Sequence, residues 1–404
     1  MMNWIRVIGF QVFVILTLAH GQTLQIINNE IHQVPLKKKQ EYRTLSLSPD
    51  GRFLSFEALW NKNYFLYIYD IQSGQLVHIG EPYDSKTSSS ESLFQPVRKL
   101  KGNQITNKLC WTAYEDMILF DFIHSPRQGK FILYSSIIPT SERQPLSPFH
   151  NQKIEGSGIY ESFFSENEYT YIDYPILSHH PYNEAFLVAL TVHNRIYLYL
   201  QGSGEKPIPI TQPGNASADI GAKFSPDDRQ IAFIRDSRDD SNIGLLTRTG
   251  KNWQQWKEEI LVSSPYIETS PEWSEDGTML AYYSDKDHSK EFSLWVYDFK
   301  TNSHKEIVRN IVRNSERHKG PNWVGNQGFI YVKLDLKENN PLYYTDLKRG
   351  YTTRIHTNKS GHQDIAIVKV GENRFRVAFT ARGELQSEDN LIWTKVYYMD
   401  IQVF

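Results

Sequence analysis

Cysteine is nearly absent from this chain: Cys110 is the single example among 404 residues. An internal disulfide is therefore excluded, and with it the class of small stapled domains. A strongly basic surface is also lacking. Lys and Arg number 44 against 46 Asp and Glu, a formal net charge of -2, and the densest basic cluster is Lys37-Lys38-Lys39. A nucleic-acid binder carries a basic stripe, so no nucleic-acid partner is expected. Beyond the N-terminus no apolar run reaches the roughly 20 residues that a membrane span needs, so the mature chain is expected to have no span. Several catalytic signatures are missing too. There is no Gly-x-Ser-x-Gly elbow, no His-Glu-x-x-His and no P-loop, and Gly202-Ser203-Gly204 lacks the third glycine of a dinucleotide fingerprint. The Ser-x-Asp-x-Gly-x-Thr-Trp box of sialidases fails on spacing, because Asp276 and Gly277 are adjacent.

What is present begins with an export signal. Met1–Arg6 is short and carries one basic residue, Val7–Ala19 is apolar apart from Gly9, Gln11 and Thr17, and Ala19-His20-Gly21 places small residues where signal peptidase reads. A signal peptide over 1–21, cleaved before Gln22, is expected. An exported chain without disulfides suits a bacterial periplasm or cell surface better than a eukaryotic secretory route. Asn215-Ala216-Ser217 and Asn358-Lys359-Ser360 match the glycosylation triplet, which has no meaning in a bacterial protein.

Aromatic residues make up 13% of the chain, with 24 Tyr and 21 Phe, and such a composition favours strands. The strands repeat. Leu47-Ser48-Pro49-Asp50-Gly51, Phe224-Ser225-Pro226-Asp227-Asp228 and Trp273-Ser274-Glu275-Asp276-Gly277 each follow one short strand and precede an apolar one. Pro presets φ in the turn, Asp binds the local backbone and Gly closes it. A third strand ends near Asp, as in Leu66-Tyr67-Ile68-Tyr69-Asp70 and Leu294-Trp295-Val296-Tyr297-Asp298, and a short fourth follows. Weaker copies place equivalent anchors at Trp111, Leu177, Trp323 and Val368. The seven anchors stand 64, 66, 47, 49, 50 and 45 residues apart. Four short strands per unit is the pattern of a propeller blade. The expected fold is all-β: a single β-propeller over 22–404 with four-stranded blades, seven in number, six being the alternative. A strand near 31–36 is expected to close the last blade, because an unclosed ring would leave a reactive edge. The two long spacings hold insertions at 83–92 and 147–170, which are candidate contact loops.

The aromatic anchor, the Ser-Pro-Asp-Gly turn, the apolar strand, the polar loop with Asp and the Leu-Trp-Val-Tyr-Asp strand together resemble the WD-like repeat of periplasmic TolB-type proteins. The resemblance spans most of 42–404 and is strongest at Leu47, Phe224 and Trp273. It implies a propeller in the bacterial envelope. It does not imply TolB's partner contacts, because only about 20 mature residues precede the repeats where TolB carries an α/β domain. The same repeat occurs in propellers attached to peptidases, so fold and compartment follow from it better than activity.

Candidate site residues come from geometry. The innermost strand of each blade lines the central channel, and the residues at its start lie at one mouth. Those positions are Asp173, Asp219, Glu268-Thr269, His318-Lys319 and His362-Gln363-Asp364. Mixed charge at a concave mouth suits a peptide or small ligand. Replacing Glu268 and His362 together is expected to remove ligand binding and leave the melting temperature nearly unchanged. No cofactor is expected. Asp236, Asp239, Asp240 and Asn242 are oxygen donors in one loop, but the register of an EF-hand is missing, which disfavours calcium. His179-His180 would point to opposite faces of a strand and make poor ligands. Cys110 beside Trp111 reads as a buried, inert thiol. The function these features favour is a non-catalytic scaffold of the bacterial envelope that binds a protein, peptide or ligand and is monomeric. The alternative is a propeller hydrolase acting on glycans or peptides through acids at the mouth.

Overall fold

The computed structural model describes residues 24–36, 40–60, 63–79, 109–111, 117–125, 130–137, 152–153, 187–192, 194–200, 208–237, 240–251, 254–286, 291–315, 318–382 and 394–404. The expected signal peptide, Asp173, Asp239, the anchor Leu177, His179-His180 and the insertions at 83–92 and 147–170 lie outside these residues. Among the described residues the strands form six antiparallel hydrogen-bonded sheets, and the only helical element is a single 3-10 turn, Ile27–Asn29. The fold is all-β and of the propeller type.

The sheets follow the repeat. Glu41–Leu47, Phe53–Trp60, Asn63–Asp70 and Gln75–Ile79 pair in that order, as do Ala218–Phe224, Gln230–Asp236, Ser241–Arg248 and Trp256–Val262. Leu109–Trp111 begins a further four-stranded sheet with Met117–Ser125, Lys130–Ile137 and Gln152–Lys153, and Leu187–Val192, Arg195–Leu200 and Ile208–Pro209 form a three-stranded one. The Trp273 and Trp323 units share one eight-stranded sheet. They join because the inner strand Asn322–Val324 covers only Gly328–Ile330, which leaves Val332 and Lys333 free to pair with Val312 and Ile311 at the end of the preceding outer strand. In the last sheet, Thr394–Val403 carries two N-terminal pieces on its edge: Leu24–Ile26 pairs with Ile401–Val403, and His32–Gln33 pairs with Tyr397 and Tyr398.

The middle strands are apolar on both faces because each sheet packs between two others. Leu280 and Tyr282 face Ile234, Ile243 and Leu245 of the Phe224 sheet, while Ala281 and Tyr283 face Trp323, Phe329 and Tyr331 on the other side. Ile330 and Val332 pack in turn on Val377 and Phe379, and Ala378 on Phe56 and Ala58. The anchor tryptophans add polar ties between neighbours. Trp273 Nε1 donates to Lys223 O and Trp323 Nε1 to Glu272 O, each at 3.0 Å.

The repeated turn works the same way three times. Ser48, Ser225 and Ser274 donate through Oγ to Asp50, Asp227 and Asp276, at 2.5, 2.6 and 2.9 Å. The same Oγ atoms accept the N–H of Phe53, Gln230 and Met279. Gly51, Asp228 and Gly277 take the left-handed conformation that ends the turn. These turns touch around one end of the ring. A Cβ on Gly277 would contact Pro226, Asn326 Oδ1 accepts from Asp276 N–H at 3.0 Å, and Arg376 donates to Gly51 O at 2.7 Å.

Candidate functional site

The opposite end of the ring is shaped by bulges in the inner strands. The register slips between Arg43 and Ser46, between Ile220 and Lys223, and between Thr269 and Glu272. At each slip, three residues before the anchor, one residue has positive φ: Thr44 at 58°, Gly221 at 64° and Ser270 at 55°. Glycine tolerates this, but a β-branched threonine there costs on the order of 1–3 kcal/mol and persists only where its surroundings hold it.

Thr44 is held by polar ties. Its N–H donates to Asp364 Oδ2 at 2.9 Å and to Ser315 Oγ at 3.2 Å, and its Oγ1 donates to Glu57 Oε2 at 3.2 Å. Asp364 also accepts the N–H and the hydroxyl of Ser315. Lys319 Nζ donates to Leu45 O. A Cβ on Gly221 would stand 3.2 Å from His318 Cβ, and one on Gly320 would meet Glu272. Three of the expected residues, His318, Lys319 and Asp364, therefore come together at the ring's middle, with Thr44 and Ser315 between them.

The others stand apart from that cluster. Asp219 is fully buried and takes both arms of Arg235, at 2.8 and 2.9 Å, while Arg235 also reaches Glu258 at 2.6 Å. Burial raises the Asp219 pKa, and the guanidinium opposes that rise. His362 is 2% exposed and lies against Phe379. Its Nδ1 is 2.9 Å from Asn340 O and its Nε2 2.7 Å from Thr357 Oγ1, so the neutral ring donates to the carbonyl and accepts from the hydroxyl. Burial lowers its pKa. Glu268, also 2% exposed, accepts from Ser264 Oγ at 2.6 Å and Ser284 Oγ at 3.1 Å, while its Oε2 is buried without a donor. Burial raises its pKa, and the charges of Asp285 and Asp240 add to that. Thr269 is buried beside Ser270. Glu268 and His362 are thus enclosed side chains rather than the lining of an open funnel.

Thr44, Glu57, Ser315 and Arg235 escaped the sequence reading. The first was legible in part, because Thr44, Gly221 and Ser270 share one offset from their anchors. In the acidic loop, Asp240 accepts from Ser237 and Asn242, and Asn242 Oδ1 accepts from Ser264 N–H. Among the described residues, no three His, Cys, Asp or Glu side chains converge as a metal site would require. No described helix is long and apolar enough to cross a membrane.

This architecture defines the class: a β-propeller whose units follow the Ser-Pro-Asp-Gly repeat. No family model matches the chain, and no curated protein matches it. Solved structures do share its fold. An oligogalacturonate lyase from Vibrio parahaemolyticus is 14% identical with a TM-score of 0.55, over 92% of this chain and 93% of that one. Puromycin hydrolase is 12% identical with a TM-score of 0.53, over 86% of this chain, which spans 51% of the hydrolase. A TolB from Agrobacterium tumefaciens matches at a TM-score of 0.41 and 13% identity, over 72% of this chain and 87% of that one. The likenesses to the lyase and the hydrolase are of fold.

Proposed function

We propose that this chain is an exported binding scaffold of the bacterial envelope, which docks a protein or peptide partner and carries out no chemistry. One observation supports this reading most: the ionisable groups at three of the expected site positions are already engaged by the fold. Asp364 accepts three hydrogen bonds, Asp219 holds a bidentate arginine, and both nitrogens of His362 have partners. A catalytic acid or base needs a lone pair or proton aimed at a substrate. The partner would meet the loops, including the insertions at 83–92 and 147–170. Chemical cross-linking in the envelope fraction tests this. Deleting either insertion is expected to remove the captured partner and leave melting unchanged. Capture that survives both deletions would overturn the role given to these loops.

A second reading rests on Glu268. A carboxyl raised by burial, with one oxygen free of donors, is the kind of group that serves as a general acid. The neighbours of this fold include a lyase named for oligogalacturonate and hydrolases of puromycin and prolyl peptides. Another oligogalacturonate lyase structure holds manganese, but the donors described in this chain do not converge to bind such an ion. Turnover of oligogalacturonate or a prolyl peptide, lost in Glu268→Gln, would establish this reading over the first.

A further inference from the structure

Residues 314, 315 and 318–320 precede the short inner strand Asn322–Val324, yet their contacts reach well beyond the adjoining sheets. On the near sides, Gly320 lies against Ser270 and Glu272, and Asn314 Oδ1 accepts the Ile365 N–H at 2.9 Å. The far contacts matter more. Ser315 and Lys319 reach Thr44 and Leu45 of the Leu47 sheet, and His318 packs on Gly221 of the Phe224 sheet. Around the ring the order is Phe224, Trp273, Trp323, Val368 and Leu47, as the shared cores show. The loop therefore touches the second sheet away on both sides. A segment at the rim reaches only its neighbours, so this one crosses the ring's middle.

We propose that this loop is an axial latch. Its side chains occupy the upper channel and tie together inner strands that are not neighbours around the ring. The ties are chemically distinct. Lys319 caps the Leu45 carbonyl, Asp364 gathers Ser315 and Thr44, and His318 fills the space that the missing Cβ of Gly221 leaves open. The bulge at Thr44 exposes the N–H and carbonyl that the latch uses. That explains why a β-branched residue sits at positive φ there. The Asn314 side chain also bonds Gly320 O at 3.5 Å, which joins the two ends of the loop. The latch operates whether the chain binds or catalyses, so it goes beyond the function proposed above.

Hydrogen exchange read by mass spectrometry on the full chain tests the latch. Lys319→Met removes the ammonium and keeps the side-chain length, Ser315→Ala removes one hydroxyl, and His318→Ala empties the contact with Gly221. The first two are expected to speed exchange in 41–47, and the third in 218–224, by about tenfold or more. Peptides covering 342–355, on the outer strands of the loop's own unit, are expected to keep wild-type rates. Unchanged rates in 41–47 and 218–224 would overturn the latch, and so would an equal rise in every sheet, which is the mark of general destabilisation. If Lys319→Met does not accumulate as folded protein, Ser315→Ala carries the same test through Thr44.

Discussion

Replacing Glu268 with glutamine is expected to make the protein more stable as pH rises. The side chain is 2% exposed, its Oε1 accepts two serine hydroxyls, and its Oε2 has no donor. Burial raises its pKa first, with Asp285 and Asp240 adding repulsion, while the serine hydrogen bonds pull the other way. In the unfolded chain the carboxyl titrates near about 4.3. Between that value and the raised folded value, the native state holds a proton that the unfolded state has lost. Stability is full below the unfolded pKa and falls as pH rises through the window, at about 1.4 kcal/mol per pH unit. For a chain of this size that slope is roughly 2 °C in Tm per pH unit. Glutamine keeps the acceptor for both serines and cannot ionise, so its profile lacks this fall. Thermal unfolding of wild type and Glu268→Gln across pH 5–8, about the range where proteins are most stable, reads the difference directly. Other titrating groups cancel in the comparison. Parallel profiles would refute the claim that the fold raises the Glu268 pKa.

Trp273→Ala removes a buried anchor and its bond to Lys223 O, and should cost about 3–5 kcal/mol in urea unfolding. Gly221→Ala puts a Cβ 2.8 Å from Ile234 Cδ1 at positive φ and should cost about 1–3 kcal/mol by the same assay. The lowered pKa of His362 acts on the acid side. Stability should fall, by about 1.4 kcal/mol per pH unit at most, as pH drops below the ordinary histidine value of about 6.5. His362→Gln should flatten that limb of a stability–pH curve. Val34→Ala, at a residue 1% exposed whose N–H donates to Val396 O at 2.9 Å, should cost about 1–3 kcal/mol and speed exchange in 394–403 before other strands.

The fold was legible because its repeat is local. Ser225, Asp227 and Asp228 make a turn within six residues, and the strand after it is apolar from Ile231 to Ile234 because two sheets face it. Nothing in such a pattern depends on distant residues. The site lies at the other extreme. Asp364 meets Thr44 across 320 residues, and Lys319 meets Leu45 across 274. The strand starts were visible, but their burial was not. The sequence places His362 before a strand and gives no sign that Asn340 and Thr357 close around it. Arg235 reads as an ordinary strand residue until the fold brings Asp219 and Glu258 to its guanidinium.

One sheet is woven from strands that lie far apart in the sequence. Leu24–Ile26 and His32–Gln33 have their partners in Thr394–Val403, more than 360 positions later. During synthesis, Leu24–Ile26 and His32–Gln33 must wait for Thr394–Val403 before they find their place. Contacts of that span are slow to form. Until they do, the edge of Thr394–Val403 is open to any passing strand. The seam between Leu24–Gln33 and Thr394–Val403 is therefore among the slowest contacts of the fold to form.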